Sequence, residues 1–168
     1  SGPPLLRTVD LCGPRFRNVC IEVYPGEIIG LAGAVGAGRT ELMETIFGNR
    51  RAEGGTVLLR DTETHIRSPY QAAQLGIVLV PEKRTEKGLI ERAVIRENLS
   101  LPSLPRFAAA GFLRRPAERS AANAVMEDLS IAAPHAEFAV RNLSGGNKQK
   151  VVVGKWLLAS QQLAGKLF

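Results

Sequence analysis

Apolar and polar positions divide this chain into segments of different period. Ile28-Ile29-Gly30-Leu31-Ala32 and Ile77-Val78-Leu79-Val80 are apolar almost throughout, the pattern of strands buried on both faces of a parallel sheet. Phe16 to Tyr24 alternates imperfectly and ends at Pro25-Gly26, which predicts an antiparallel strand feeding the first apolar run. Val57-Leu58-Leu59 predicts another strand after Gly54-Gly55. Helical spacing begins at Thr40, with Leu42, Met43, Ile46 and Phe47 on one stripe and Gly48 as the stop. Ser68-Pro69 caps and opens a short helix ending near Gly76. Pro116 to Leu129 places Ala122, Val125, Met126 and Leu129 on one face. Ser144 caps a last helix with Val152, Val153, Trp156 and Leu157 as its stripe. Residues 1–13 carry no clear period, and Pro3-Pro4 predicts an extended lead-in. Between Glu82 and about Arg141 the character is that of charged loops and helices. Nothing repeats internally.

The junction of the first apolar run with the first helix carries the most specific chemistry. Gly33-Ala34-Val35-Gly36-Ala37-Gly38-Arg39-Thr40 matches G-x-x-x-x-G-K-[ST] at every fixed position except Arg39, which replaces lysine. Strand, glycine loop and helix form the context a phosphate-binding loop requires. The glycines let backbone N–H groups turn inward on a polyphosphate, and the helix dipole adds partial positive charge there. Thr40 supplies a hydroxyl for Mg²⁺. The competing reading is a glycine-rich turn with no ligand. A dinucleotide fingerprint fits worse, because Glu41 stands where its third glycine belongs.

Composition narrows the remaining classes. A chain of 168 residues with 45% apolar residues and no low-complexity tract is expected to form one domain with a sizeable core. The net charge of +6 raises nucleic-acid binding. Yet the basic residues are scattered, no more than two adjoin, and aromatic platforms are scarce, so no nucleic acid is expected as a partner. No run approaches membrane-spanning length, and residues 1–13 lack the charged-then-apolar order expected of a secretion signal. Cys12 and Cys20 have no metal-ligand spacing and read as reduced thiols of a cytoplasmic protein.

A second motif, Leu143-Ser144-Gly145-Gly146-Asn147, opens the last helix. Two glycines in a first helical turn disfavour the helix, which makes sense where something must approach that backbone closely. A helix N-terminus with a capping hydroxyl is also an anion site.

In order and spacing, Gly33 to Thr40, Pro81-Glu82 after an apolar run, and Leu143 to Gly146 resemble the ATP-binding domain of ABC transporters. Gly36 to Leu42, Val80-Pro81-Glu82-Lys83-Arg84 with Gly88-Leu89, and Leu143 to Val152 look like the second ATPase half of bacterial ribose, galactose and xylose importers. The resemblance implies an α/β fold with a P-loop NTPase core, an antiparallel β lead-in and an inserted helical subdomain. It divides the chain into a nucleotide-binding core (1–81), a helical subdomain with the signature (82–153) and a return towards the core (154–168). The implied ligands are ATP and Mg²⁺, with Thr40 and Glu82 towards the metal. Leu143 to Asn147 would contact the γ-phosphate of ATP held by a second ATPase domain. Membrane permease subunits, and indirectly a periplasmic sugar-binding protein, would complete a transporter whose ATPase sits peripherally on the inner, cytoplasmic membrane face.

This sequence departs from the family in four places. Arginine replaces lysine at position 39, as the sugar importers lead one to expect. Glu82 stands where a Mg²⁺-sensing glutamine is usual. No adenine-stacking aromatic lies at Leu11 to Gly13, where Phe16 is the nearest candidate for either that role or a core role. The Asp-Glu pair and switch histidine that should follow the last helix are absent; Leu167-Phe168 would open the strand leading to them, and His65 and His135 stand elsewhere. The chain is therefore read as a fragment without catalytic residues, inactive alone, with Ile28 to Ala32 exposed and prone to pair with another chain. Two functions stay open: the ATP-binding part of a sugar-import ATPase, or a non-hydrolysing nucleotide-binding or permease-docking module.

Overall fold

The computed structural model describes residues 2–81 and 88–164, with side chains in the last helix through Ser160. The chain forms two compact units, 1–79 and 80–168.

The first unit is an antiparallel sheet with one helix against it. β1 (Leu6–Gly13) lies between β2 (Phe16–Val23) and β3 (Gly54–Leu59), and β4 (Thr62–Glu63) adds an edge, giving the order β2-β1-β3-β4. The extended lead-in expected over residues 1–13 is thus the centre of a sheet. Its periodicity is hidden by a bulge between Thr8 and Leu11, where Asp10 takes a φ of 46°. The extra residue places Thr8 and Leu11 both inward, three positions apart rather than two. Thr8 Oγ1 repairs the interrupted ladder, donating to the Val19 carbonyl at 2.9 Å and accepting from the Ile21 N–H at 3.0 Å. α1 (Arg39–Ile46) lays Leu42 and Ile46 on a core with Leu11, Phe16 and Val57. α2 (Pro69–Gln74) starts as expected, with Ser68 Oγ accepting from the Gln71 N–H at 3.2 Å.

Neither apolar run is a strand. Ile28 to Ala32 and Ile77 to Val80 have no strand assignment, and Ile28 is 96% exposed. An apolar pattern specifies what a segment would bury, but a strand also needs a neighbour for its N–H and C=O groups. Neither run has a ladder partner among the described residues.

The second unit is helical. α3 (Ile95–Ser100), a 3₁₀ stretch (Leu101–Phe107), a two-residue hairpin of β5 (Ala108–Ala109) and β6 (Phe112–Leu113), α4 (Arg115–Asp128) and α5 (Gly145–Ala164) follow in order. Its core joins Ile95 and Leu99, Val125 and Met126, and Val151 and Leu158. At an order of 2 kcal/mol for each such side chain, burial of this kind holds the helices together. The stripe of α5 is rotated from the expected one: Val151, Val152, Leu158 and Ala159 are buried, while Val153 is exposed. Gly154 fixes that rotation. A Cβ there would stand 2.8 Å from Val125 Cγ1 and 2.9 Å from Leu99 Cδ2, so only glycine lets α5 approach α3 and α4 this closely.

A buried polar network crosses the same unit. Arg96, 7% exposed in its side chain, donates from Nη1 to Glu118 at 2.6 Å and from Nε to Glu137 at 2.8 Å. Ser100 Oγ donates to the other oxygen of Glu118 at 2.5 Å. The hydrogen bond to Glu137 raises the Arg96 pKa above its usual value, with Glu118 adding to it. The Glu137 carboxyl is held below its ordinary 4.5, first by the hydrogen bond from Arg96.

Candidate functional site

The glycine loop is fixed at one end and open at the other. α1 begins at Arg39 with Gly38 as its N-cap, at φ 84°, and no side chain caps the helix. The N–H groups of the first turn therefore keep no capping side chain among the described residues. Gly36 also has φ 84°, and a Cβ there would meet nothing within 4 Å. Left-handed residues alternating with ordinary ones turn successive N–H groups to one side, the concavity that binds anions. Ala37 N–H donates to the Ala34 carbonyl at 3.1 Å and closes the loop's own turn. The backbone thus fits a phosphate group, on the observation that Gly36 is open while the tightest crowding in the loop is at Gly38.

A Cβ at Gly38 would overlap the carbonyl oxygen of Arg15 and lie 2.9 Å from its carbonyl carbon. The turn between β1 and β2 is therefore the wall on which the loop rests. Arg39 folds back along the loop: a Cβ at Gly33 would meet its Cδ at 3.8 Å and its Nε at 3.9 Å. Thr40 is exposed one residue further on, in the first turn of α1, its hydroxyl free of any hydrogen bond among the described residues. Ala34 and Val35 are exposed at the loop's tip. Glu82, the second expected metal ligand, lies outside the described residues.

Phe16 is 8% exposed and packs in the core of the first unit. Its candidacy as an adenine platform is thereby corrected: the turn carries the ring inward. His65 and His135 are exposed, one beside Glu63 at 3.6 Å and the other edge-on to Phe138.

In the second unit, Leu143 is buried and anchors the signature, whereas Ser144, Gly145 and Gly146 are exposed at the start of α5. Ser144 Oγ accepts from the Asn147 N–H at 3.4 Å and from its Nδ2 at 3.0 Å. A Cβ at Gly145 or Gly146 would meet nothing within 4 Å. Among the described residues no packing requires glycine at either position. Sequence reasoning missed what holds this turn in place. Asn147 Oδ1 accepts from the Ala132 N–H at 2.9 Å, tying α5 to the end of the α4 loop. Lys148 pairs with Glu91 at 2.6 Å, and Lys155 donates to the Gly88 carbonyl at 2.7 Å. Burial pushes the Lys155 ammonium below its usual 10.5. Only the i, i+7 spacing of the two lysines hinted that one face of α5 grips a neighbour.

The model of the ABC transporter family matches residues 16–164. This chain belongs to the ABC transporter family. Among curated relatives of this ABC domain, the ribose import ATP-binding protein RbsA of Geobacillus kaustophilus is 43% identical over 148 residues, covering 88% of this chain and 30% of that protein. RbsA of Cereibacter sphaeroides is 40% identical over 157 residues, covering 93% and 31%. The chain thus spans under a third of the length of these relatives. Solved ATP-binding cassettes share its fold. A dimeric post-hydrolysis cassette bound to ADP and Pi superposes with a TM-score of 0.72 at 18% identity, covering 92% of this chain and 70% of that one. The ADP conformation of another gives 0.70 at 20% identity, covering 94% and 65%. The P-loop NTPase fold of this ABC domain is thereby established. No helix among its described residues is long and apolar enough to cross a membrane.

Proposed function

We propose that this chain is the ATP-binding part of a sugar-import ABC transporter ATPase. The observation that carries the reading is the glycine loop on its wall: two left-handed glycines, an uncapped helix N-terminus and a folded-back arginine, in a chain about 40% identical to ribose import ATP-binding proteins. Gly33 to Gly38 would hold the β- and γ-phosphates by backbone N–H groups, and Arg39 would add a planar, always charged donor pair. Mg²⁺, held from Thr40 and Glu82, would neutralise charge between those phosphates. Leu143 to Asn147 would meet nucleotide held by a second ATPase domain, since their exposed glycines present open backbone to something outside the unit. Permease subunits and a sugar-binding protein complete this reading of the parent assembly, placing the domain at the cytoplasmic membrane face.

Calorimetric titration of MgATP into the whole chain tests the assignment. Saturable binding is expected, weakened at least tenfold by Arg39→Ala, which removes charge-assisted hydrogen bonds. Ser144→Ala is expected to leave that affinity unchanged while costing about 1 kcal/mol of helix capping. Absence of binding, or its loss on changing Ser144, would overturn the reading. Phosphate release measured alongside separates an ATPase from a module that binds without turnover.

A further inference from the structure

We propose that the hairpin of β5 and β6 is a lipid-binding tip, which inserts Phe112 and Leu113 into the surface of an anionic bilayer. Its backbone is built to project. Ala110 and Gly111 close it at φ 50° and 83°, a two-residue turn of the kind that joins twisted strands. At the base, Phe107 is buried in the helical core, and its carbonyl accepts from the Arg114 N–H at 2.7 Å. Beyond that anchor every residue from Ala108 to Ala117 is exposed. Phe112, opposite Ala109 across the strands, is 80% exposed, and Leu113 is 43% exposed. Successive strand residues point to opposite sides, so the tip is apolar on both of its faces.

Charge selects the kind of surface. Arg106, Arg114 and Arg115 flank the apolar pair, and no acidic residue stands from Asn98 to Ala117. The carboxylates that bracket this stretch, Glu97 and Glu118, both pair with Arg96. Among the described residues none of the three arginines has a carboxylate partner. Arg106 lies over the Phe107 ring, and Arg114 reaches the Arg106 carbonyl. A protein would cover one face of so narrow a tip, far less than the roughly 1,000 Å² that a stable interface buries. Hydrocarbon covers both faces at once, and anionic headgroups receive the guanidinium groups left at the interface. Single-stranded nucleic acid would use the ring and the charges but gains nothing from Leu113. The proposal is independent of the phosphate loop, which belongs to the other unit.

Sedimentation of the whole chain with phosphatidylglycerol vesicles tests this, with phosphatidylcholine vesicles for comparison. Binding is expected to the anionic vesicles alone and should fall as salt is raised. Phe112→Ser is expected to weaken it on the order of tenfold, and Arg115→Ala about fivefold. The chain carries a net charge of +6, so Arg51→Ala, in the first unit, serves as the control and should change little. Phe112→Trp should keep the affinity. Its fluorescence, taken as the difference from wild type with Trp156 alone, should shift to the blue on the anionic vesicles as the ring leaves water. Absence of binding to those vesicles would overturn the proposal and leave the hairpin to a protein partner. Equal losses from Arg51→Ala and Arg115→Ala, or an unshifted tryptophan, would reduce it to general charge attraction and overturn it as well. So would capture of an oligodeoxythymidine strand that Phe112→Ser abolishes.

Discussion

Gly38→Ala is expected to disable the loop and destabilise the first unit, whereas Gly36→Ala disables the loop and leaves the unit nearly intact. Both residues sit at φ 84°, so each substitution costs about 1 kcal/mol of left-handed strain. The difference lies in what the new methyl meets. At Gly38 it overlaps the Arg15 carbonyl, and backbone on backbone cannot yield without moving the β1–β2 turn or the start of α1. A total on the order of 3 kcal/mol follows, with larger values for Gly38→Asp. At Gly36 the methyl enters open space, where on the phosphate-loop reading it would displace a phosphate rather than the protein. Urea unfolding paired with tripolyphosphate binding checks this: equal stability losses for the two variants would contradict the wall.

Glu118→Ala should be the most damaging single substitution in the helical unit. It leaves the Arg96 guanidinium, with a side chain only 7% exposed, without its innermost partner, and breaking one side of a buried ion pair costs about 3–5 kcal/mol. The double variant Arg96→Met, Glu118→Leu is expected to recover much of that loss, because the charge is removed along with its partner. Denaturant unfolding of both variants tests it; a double variant no better than the single one would locate the cost in packing instead. The same network sets an acid limit. The folded-state pKa of Glu137 is depressed from 4.5 by Arg96, so its contribution is complete above that pH. It is lost as the pH falls below 4.5 through the depressed value. Thermal melting across this window should show a decline that Glu137→Gln removes.

Legibility in the sequence followed whether a signal was local. The caps at Ser68 and Ser144 and the stripe of α4 were readable because a helix satisfies its own backbone and is specified by its own residues. The glycine turn into α1 was readable because glycine spacing and helix start are contiguous. The antiparallel strand β2 came out within a residue, its end marked by Pro25-Gly26. What failed was non-local. Ile28 to Ala32 had the composition of a buried strand and no ladder partner among the described residues, while β1 had partners on both sides and a bulge that erased its period. The rotation of α5 depended on Gly154 against Val125 and Leu99, residues far apart in sequence. Phe16 was ambiguous for a related reason: which way a turn residue points is set by the register of the strands it joins.

The exposure of the loop also shapes how, on the phosphate-loop reading, it would take up a ligand. From Pro25 to Ala37 every residue is exposed, and buried chain resumes only at Gly38. Few contacts oppose local opening there, so its amides should exchange with solvent deuterium far faster than those of α1 a few residues on. Bound polyphosphate would close that gap, slowing exchange at a short contiguous set of amides while α1 stays as it was. Association then carries an entropic penalty concentrated in about a dozen residues. Affinity at this site is therefore a measure of how stiff the loop already is, and a substitution that stiffens it without touching the ligand should tighten binding.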